Sequence, residues 1–410
     1  MSDKIKSNIK KPDVKYCTNC VYPSSSAVSL EFDKNGKCSG CIISIEKNEI
    51  NWKKRKEQLK KLFKEYANKG NKHYDCIIPV SGGKDSYFQS HIIKELGYNA
   101  LLVTYNANNY TSTGLKNLQR MREAFGFDHI FFTPSVDTLK KLNRIGMLVM
   151  GDMNWHAHSG IFTYPIRVAV EKNIPLMIWG EHGRTDVGGM FSHNDFIEFT
   201  YRERLEHACR GFEWDDIIKL GKKYGENLTE KKMYAWIYPS DEEIERVGVR
   251  GIFLSNYIKW EANEHTKLVK EKYGFLELEE EFERTYRKMS NLDDMHENGI
   301  HDYLKFIKFG YGRTSDHGSK DIRAKLISRK NVVNEVLKRD CIKPKDLKRW
   351  LKYVEWDEKK FDEVSDQFRD PRVWWIKNGY WVKKDINGKQ TSYGKVLLSK
   401  NFRNKFFVEE

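Results

Sequence analysis

A short apolar run, Asp75-Cys76-Ile77-Ile78-Pro79-Val80, passes directly into Ser81-Gly82-Gly83-Lys84-Asp85-Ser86 and then into an apolar-periodic stretch from Tyr87 to Leu96. Strand, glycine turn and helix therefore follow one another without a linker. The two glycines let the backbone turn its N–H groups toward one point, and the helix N-terminus adds its dipole. Together these make a pyrophosphate site. Ser81 and Ser86 supply hydroxyl donors, Lys84 neutralises charge, and Asp85 helps hold Mg2+. The spacing differs from the Walker pattern G-x-x-x-x-G-K-[ST].

The segments that follow keep an α/β rhythm. Asn99–Tyr105, His129–Thr133 and Pro175–Trp179 read as strands, and Gly114–Phe125, closed by Gly126, and Phe162–Lys172 read as helices. Strands alternating with helices imply a parallel sheet covered on both faces, with ligands bound beyond the carboxyl ends of the strands. Three loops leave those ends: Ser81–Ser86, Asn106–Thr113 and Gly180-Glu181-His182-Gly183-Arg184-Thr185-Asp186. The last packs carboxylates, an imidazole and a guanidinium directly after a buried strand. Trp155-His156-Ala157-His158 carries two histidines without a nearby third ligand, so His156 and His158 are read as ordinary polar contacts, with a part in catalysis as the alternative.

Ser-Gly-Gly-Lys-Asp-Ser after a first strand resembles the PP-loop of ATP pyrophosphatases. That resemblance implies binding of the β,γ-pyrophosphate of ATP and transfer of AMP to a substrate oxygen. It places the loop after Trp179 near the ribose and the reacting centre. Glu181 is then a second Mg2+ ligand beside Asp85, Arg184 meets a phosphate or substrate carboxylate, and His182 orients the acceptor. Lys84 and Asp85 act in catalysis, and Tyr105, Asn106 and Gly180 join the loop residues Ser81 to Ser86 in holding the nucleotide.

Four of the seven cysteines form C-x2-C-x17-C-x2-C: Cys17, Cys20, Cys38 and Cys41. Two such knuckles supply four sulfurs to a closed tetrahedral site, so the pattern reads as structural zinc. Two disulfides are the alternative in an oxidising compartment, and an iron–sulfur cluster normally has other spacings. After this ribbon, Trp52–Ala67 reads as an amphipathic helix with Leu59, Leu62, Phe63 and Tyr66 on one face. The expected organisation is a ribbon over residues 1–50, a linker helix over 51–74, an α/β nucleotide domain over 75–240, and a helical substrate- or partner-binding region over 241–410 ending in an aromatic tail.

The net charge of +14 invites a nucleic-acid reading, but residues 1–75 carry +8, residues 320–410 carry +10, and the nucleotide segment between them carries −4. The basic ends suit a partner surface or an acidic substrate better than a phosphate backbone. No apolar run approaches the ~20 residues of a membrane helix, and the N-terminus has no hydrophobic signal core, so a cytoplasmic protein is expected.

The later chain reads as helices over Asp241–Val249, Leu254–Tyr273, Glu277–Lys288 and Asp302–Lys308, then as a loop from Phe309 to Lys320. Two or three basic helices follow over Val332–Asp370, and a hairpin around Asn378-Gly379 in the tail. Tyr311, Arg313, Thr314, Ser315, His317 and Lys320 in the loop suit an anionic, hydroxyl-rich substrate. The ribbon, the PP-loop, Trp-Gly-Glu-His-Gly-Arg-Thr-Asp and Phe-Gly-Tyr-Gly-Arg-Thr-Ser-Asp-His together resemble the N-acetyl sugar amidotransferase family from about Cys17 to Trp375. The resemblance implies ATP-dependent, AMP-forming replacement of a sugar acetamido oxygen by nitrogen, with ATP, Mg2+ and structural Zn2+, in pseudaminic acid, flagellin-glycan or lipopolysaccharide synthesis. A free nonulosonic acid and a nucleotide-sugar both suit the basic loop.

Ammonia needs a source. Residue 2 is Ser, and Cys76, Cys209 and Cys341 do not sit in a Gly-rich elbow, so a separate glutaminase subunit resembling that of histidine biosynthesis is expected. A PP-loop tRNA-modifying enzyme is the main rival, weakened because those three cysteines stand apart in sequence. A nucleotide-sensing zinc-ribbon module without turnover is the non-enzymatic one.

Overall fold

The computed structural model describes residues 9–67, 69–107, 109–289 and 295–409; Ser2, and Asn108 in the second of the three loops, lie outside them. Six strands form one sheet: β1 (Cys76–Pro79), β2 (Ala100–Tyr105), β3 (Asp128–Phe132), β4 (Leu176–Trp179), β5 (Glu198–Phe199) and β6 (Arg250–Phe253). Their order is β3-β2-β1-β4-β6-β5, and all neighbours are parallel except β5, which runs antiparallel to β6. β1, β2 and β4 are buried along their whole length, which is why they read as unbroken apolar runs.

Alternate strand residues feed two cores. Ile78 and Leu102 point to a layer made with α2 (Trp52–Tyr66), α3 (Lys84–Glu95) and α4 (Ser112–Phe125). Ile77, Leu101 and Val103 point to the opposite layer, with α5 (Val136–Met150), α6 (Trp155–Ile161) and α7 (Tyr164–Lys172). The chain leaves β1 toward β2 and β3, then returns to β4 on the other side. That reversal opens a crevice at the carboxyl ends of β1 and β4, where an α/β sheet binds its ligands. It brings the loops Ser81–Ser86 and Gly180–Asp186 side by side.

The expected α/β class with a parallel sheet is present, and several boundaries move. β6 and the helix Ala262–Tyr273, which packs with α3 into the core, belong to the nucleotide sheet, so this unit does not end at residue 240. Residues 51–74 are not a linker: Leu59, Leu62 and Phe63 of α2 are buried in the sheet's core. The second cysteine knuckle opens directly into a helix, α1 (Ser39–Glu49), so the N-terminal unit is two knuckles and a helix rather than a ribbon throughout.

Leu254–Tyr273 is not one helix. Leu254, Tyr257 and Trp260 repeat every three residues, and the chain makes a 3-10 turn at Leu254–Asn256 before Ala262–Tyr273 forms. Glu277–Lys288 is irregular because five glutamates lie within seven residues, and like charges at helical spacing repel. Phe309–Lys320 is a loop only as far as Gly312. Gly310, at φ +77, closes the helix Glu297–Phe309, and the helix Arg313–Arg323 begins at once. Its Gly318 allows close approach to Val332 of the helix Arg329–Arg339, since a Cβ there would lie 2.2 Å from Val332 Cγ1.

The tail forms a second sheet, ordered β10-β7-β8-β9, from β7 (Trp375–Lys377), β8 (Tyr380–Lys384), β9 (Gln390–Lys395) and β10 (Val408–Glu409). The β7–β8 turn is the expected Asn378-Gly379, both at positive φ as a two-residue hairpin requires.

Candidate functional site

The phosphate loop has the conformation its glycines suggest. Gly82 sits at φ +88, and a Cβ on it would lie 2.8 Å from the Leu118 backbone, so only glycine fits. Ser81 N–H donates to Ser86 Oγ at 2.9 Å and Gly83 N–H to Ser81 Oγ at 3.3 Å. Both hydroxyls thus accept from the backbone and keep their own protons to donate outward. Lys84, buried at the start of α3, reaches Asp85 Oδ2 at 2.6 Å, while Asp85 Oδ1 is buried with no hydrogen-bond partner.

Opposite, the loop after β4 is held from three directions. His182 N–H donates to Ser255 Oγ at 3.0 Å beyond β6, and its ring nitrogens meet Thr185 Oγ1 at 2.8 Å and Glu203 Oε1 at 3.0 Å. With both nitrogens engaged, His182 holds its loop in place. Arg184 lies beside Glu203 at 3.8 Å, and burial lowers its guanidinium to about 10. Gly180 packs against Gln89 and Trp260, which a Cβ would meet at 3.3 Å.

Glu181 accepts from Lys320 at 2.5 Å. Burial alone would raise its carboxyl, but the Lys320 and Lys47 ammonium groups, with Lys84, hold it down at about 2. Asp186 pairs with Lys47, and its Oδ2 is buried without a partner. Three lysines therefore face three carboxylates across the crevice. Asp85 and Asp186 each keep one buried oxygen without a partner, the kind of hard donor that Mg2+ takes. Glu181, expected as the second ligand, is instead engaged by Lys320.

The six residues expected to contact substrate divide. His317 and Lys320 face the crevice: His317 is buried, bonded through Nδ1 to Thr285 Oγ1 at 2.7 Å. Burial, then the cations Arg287, Arg313, Lys320 and Lys84, keeps its imidazole well below the usual range and neutral. The other four hold the fold. Tyr311 hydroxyl accepts from Ala27 N–H at 3.1 Å, Arg313 pairs with Asp302 and Asp316, Thr314 donates to Arg284 O at 2.8 Å, and Ser315 donates to Asp340 at 2.6 Å. Nor does Tyr105 line the crevice. It is buried against Trp236 with its hydroxyl 3.1 Å from His156 Nδ1. Asn106 donates to Thr133 Oγ1 at 3.0 Å at the sheet's end. His156, bonded also to Asn143 at 3.1 Å, is the polar contact expected.

The four cysteine ligand atoms lie within 4.8 Å of one another and all four residues are buried. Cys17 and Cys41 sulfurs are 4.0 Å apart, and Cys20 and Cys38 sulfurs 3.6 Å. A tetrahedral site with Zn–S near 2.3 Å has edges of about 3.8 Å, whereas a disulfide needs about 2.05 Å. All seven cysteines are free. The cluster is arranged to hold a metal, and the outer shell is built: Cys38 N–H donates to Cys17 Sγ at 3.2 Å and Arg323 to Cys41 Sγ at 3.4 Å.

This module reaches the crevice, which the sequence did not reveal. Lys47 of α1 supplies the partner of Asp186, and Ser39 Oγ donates to Gly188 O at 2.6 Å. Arg323 donates to Asp186 O at 2.9 Å and Val187 O at 3.0 Å while touching the thiolates. No local motif surrounds Lys47, so only the fold identifies it.

Residues 271–386 match the family model described as LPS biosynthesis protein WbpG-like, C-terminal domain. The chain carries a WbpG-like C-terminal domain. That domain contains the helix Arg313–Arg323 and hence His317, Lys320 and Arg323. A stretch of 79 residues is 29% identical to an uncharacterized protein of Methanocaldococcus jannaschii, covering 19% of this chain and 28% of that relative. The chain thus spans about a quarter of the relative's length. Among solved structures, an NH3-dependent NAD synthetase from Campylobacter jejuni is similar at 12% identity and TM-score 0.28, over 48% of this chain and 92% of that one. An NMN synthetase from Francisella tularensis is similar at 13% identity and TM-score 0.28, over 57% and 100%. Among the described residues no helix is long and apolar enough to cross a membrane.

Proposed function

We propose that the WbpG-like chain is an ATP-dependent amidotransferase that adenylates the acetamido oxygen of an N-acetyl sugar and replaces it with ammonia, giving an acetamidino group, AMP and pyrophosphate. The observation that carries the reading is the crevice itself. A glycine phosphate loop, three lysines and two carboxylates with orphaned oxygens converge beyond β1 and β4. The WbpG-like domain supports a role in lipopolysaccharide or related surface-glycan synthesis, and it supplies two of the residues that face the crevice.

The chemistry follows from the groups present. An amide oxygen leaves poorly, whereas its adenylate leaves as AMP once ammonia adds to the carbon and loses a proton. The backbone N–H groups at the start of α3, the hydroxyls of Ser81 and Ser86, and Lys84 cradle the departing pyrophosphate. Asp85 and Asp186 would hold Mg2+, which offsets phosphate charge when bound. Lys320 and neutral His317, which face the crevice, would orient the sugar beside the α-phosphate. Cys17, Cys20, Cys38 and Cys41 would hold zinc, closed and structural, with Arg323 tying that site to the reacting loop.

Ammonia would come from a separate glutaminase subunit. The test is incubation with ATP, Mg2+, ammonium and a panel of N-acetylated sugar acids and nucleotide-sugars. A product lighter by the difference between oxygen and NH is expected, with AMP and pyrophosphate formed together. AMP formed on tRNA addition, with no sugar product across the panel, refutes the reading. Glutamine used by the purified chain as readily as ammonium refutes the separate subunit.

A further inference from the structure

Away from the crevice, the turn after α5, Arg210 and the helix Glu297–Phe309 bring a second set of ionisable groups together. Asp152, 1% exposed, pairs with Arg210 through one oxygen and with His301 Nδ1 at 3.0 Å through the other. His158 stands edge-on to His301, ring centroids 5.1 Å apart, and burial next to that ring keeps it neutral, at about 3. His301, Lys305 and Lys308 share one helix face at i, i+4 and i+7. Lys305 is neutralised by Asp316. Lys308 is not. It is 9% exposed, the charges that act on it are those of Asp152 and Arg210, and among the described residues no carboxylate pairs with its Nζ.

A buried ammonium without a counter-charge is costly, and here the single carboxylate is already shared by Arg210 and His301. Arg210 adopts φ +55, a left-handed conformation rare outside glycine, which is the kind of outlier that collects at ligand sites. Its side chain is 30% exposed and that of His301 19%, so solvent reaches the cluster on that side. We propose that Lys308 and Arg210, with His301 and His158 at the edge, form an anion subsite for a carboxylate or phosphate on the sugar substrate. The kind of substrate rests on the amidotransferase reading; the subsite rests on the cluster.

One helix connects this cluster with the crevice. Arg313 is paired to Asp302, the neighbour of His301 in sequence, and Lys320 to Glu181 in the crevice. The seven residue steps of helix from Arg313 to Lys320 rise about 10 Å. The subsite would then fix the acidic end of a sugar whose acetamido group points to the phosphate loop.

The test measures binding by calorimetry without ATP or ammonia, so it does not depend on turnover. The probes are N-acetylneuraminate, its methyl ester, and UDP-N-acetylglucosamine. Lys308→Met keeps the stem volume, Lys308→Arg restores a cation, and retained metal content with an unchanged melting profile controls for folding. A charge-assisted hydrogen bond corresponds to roughly ten- to a hundredfold in affinity. Lys308→Met is expected to weaken N-acetylneuraminate by that factor, with Lys308→Arg recovering most of it. The methyl ester should bind wild type as weakly as the acid binds Lys308→Met. Loss confined to UDP-N-acetylglucosamine assigns the subsite to a phosphate and supports it in that form. Equal binding of both anionic probes by wild type and Lys308→Met, or binding of neither by wild type, overturns the subsite. Intact, Lys308-dependent binding together with no AMP formation in the separate turnover assay instead refutes the amidotransferase reading alone.

Discussion

Lys47→Met tests whether the cysteine module contributes to the crevice. The substitution keeps most of the stem and removes the ammonium that pairs with Asp186 and donates to Trp260 O at 3.3 Å. Asp186 is 3% exposed and one of its oxygens already lacks a partner. Removing one member of a buried pair costs about 3–5 kcal/mol, because the remaining charge is stranded. Lys47 is 18% exposed, so water screens part of this and the lower end, about 3 kcal/mol, is expected. Urea denaturation followed by tryptophan fluorescence measures it, with the slope checked for constancy. Asp186→Asn removes the stranded charge, so the double variant should recover about 2 kcal/mol relative to the sum of the singles. A loss below about 0.5 kcal/mol for Lys47→Met, or simple additivity, would refute the pairing as a source of loop order. Metal content should not change, since Lys47 lies a turn and a half beyond Cys41.

Gly82→Ala places a Cβ 2.8 Å from the Leu118 backbone at φ +88. It should cost more than about 1 kcal/mol from the left-handed conformation alone and abolish binding of a non-hydrolysable ATP analogue in calorimetry. Glu181 should give the protein acid sensitivity. Its carboxyl is held at about 2 against an ordinary 4.5, so its contribution is fully present above pH 4.5 and is lost as pH falls through 2. Wild type should lose roughly 2 kcal/mol more than Lys320→Met between about pH 6 and about pH 3, and an identical loss in both would show that Lys320 does not hold Glu181 down. Stripping the metal from Cys17, Cys20, Cys38 and Cys41 should speed hydrogen exchange across residues 184–193, because Ser39, Lys47 and Arg323 hold that loop. Unchanged exchange there would mean the module and the loop fold independently.

What could be read from the sequence was whatever is built from neighbours in the chain. The phosphate loop needs only β1, a glycine turn and α3, and the metal site only two C-x-x-C knuckles, so both were legible. The helix Arg313–Arg323 was not. Gly312, Thr314, Ser315, His317, Gly318 and Ser319 are weak helix formers, and tertiary packing of a polar, buried helix overrides that propensity. Its cations were equally opaque. Arg313 reads as a ligand for an anion, yet Asp302, fully buried eleven residues earlier, neutralises it. Lys320 reads the same way and does face the crevice, already paired to Glu181. A sequence shows where positive charge is; only packing shows which charges already have partners. In a chain with a net +14, that distinction carries the functional information. It shifts attention from Arg313 to Lys308, a residue no motif marked, whose ammonium is buried beside an Asp152 already shared by Arg210 and His301.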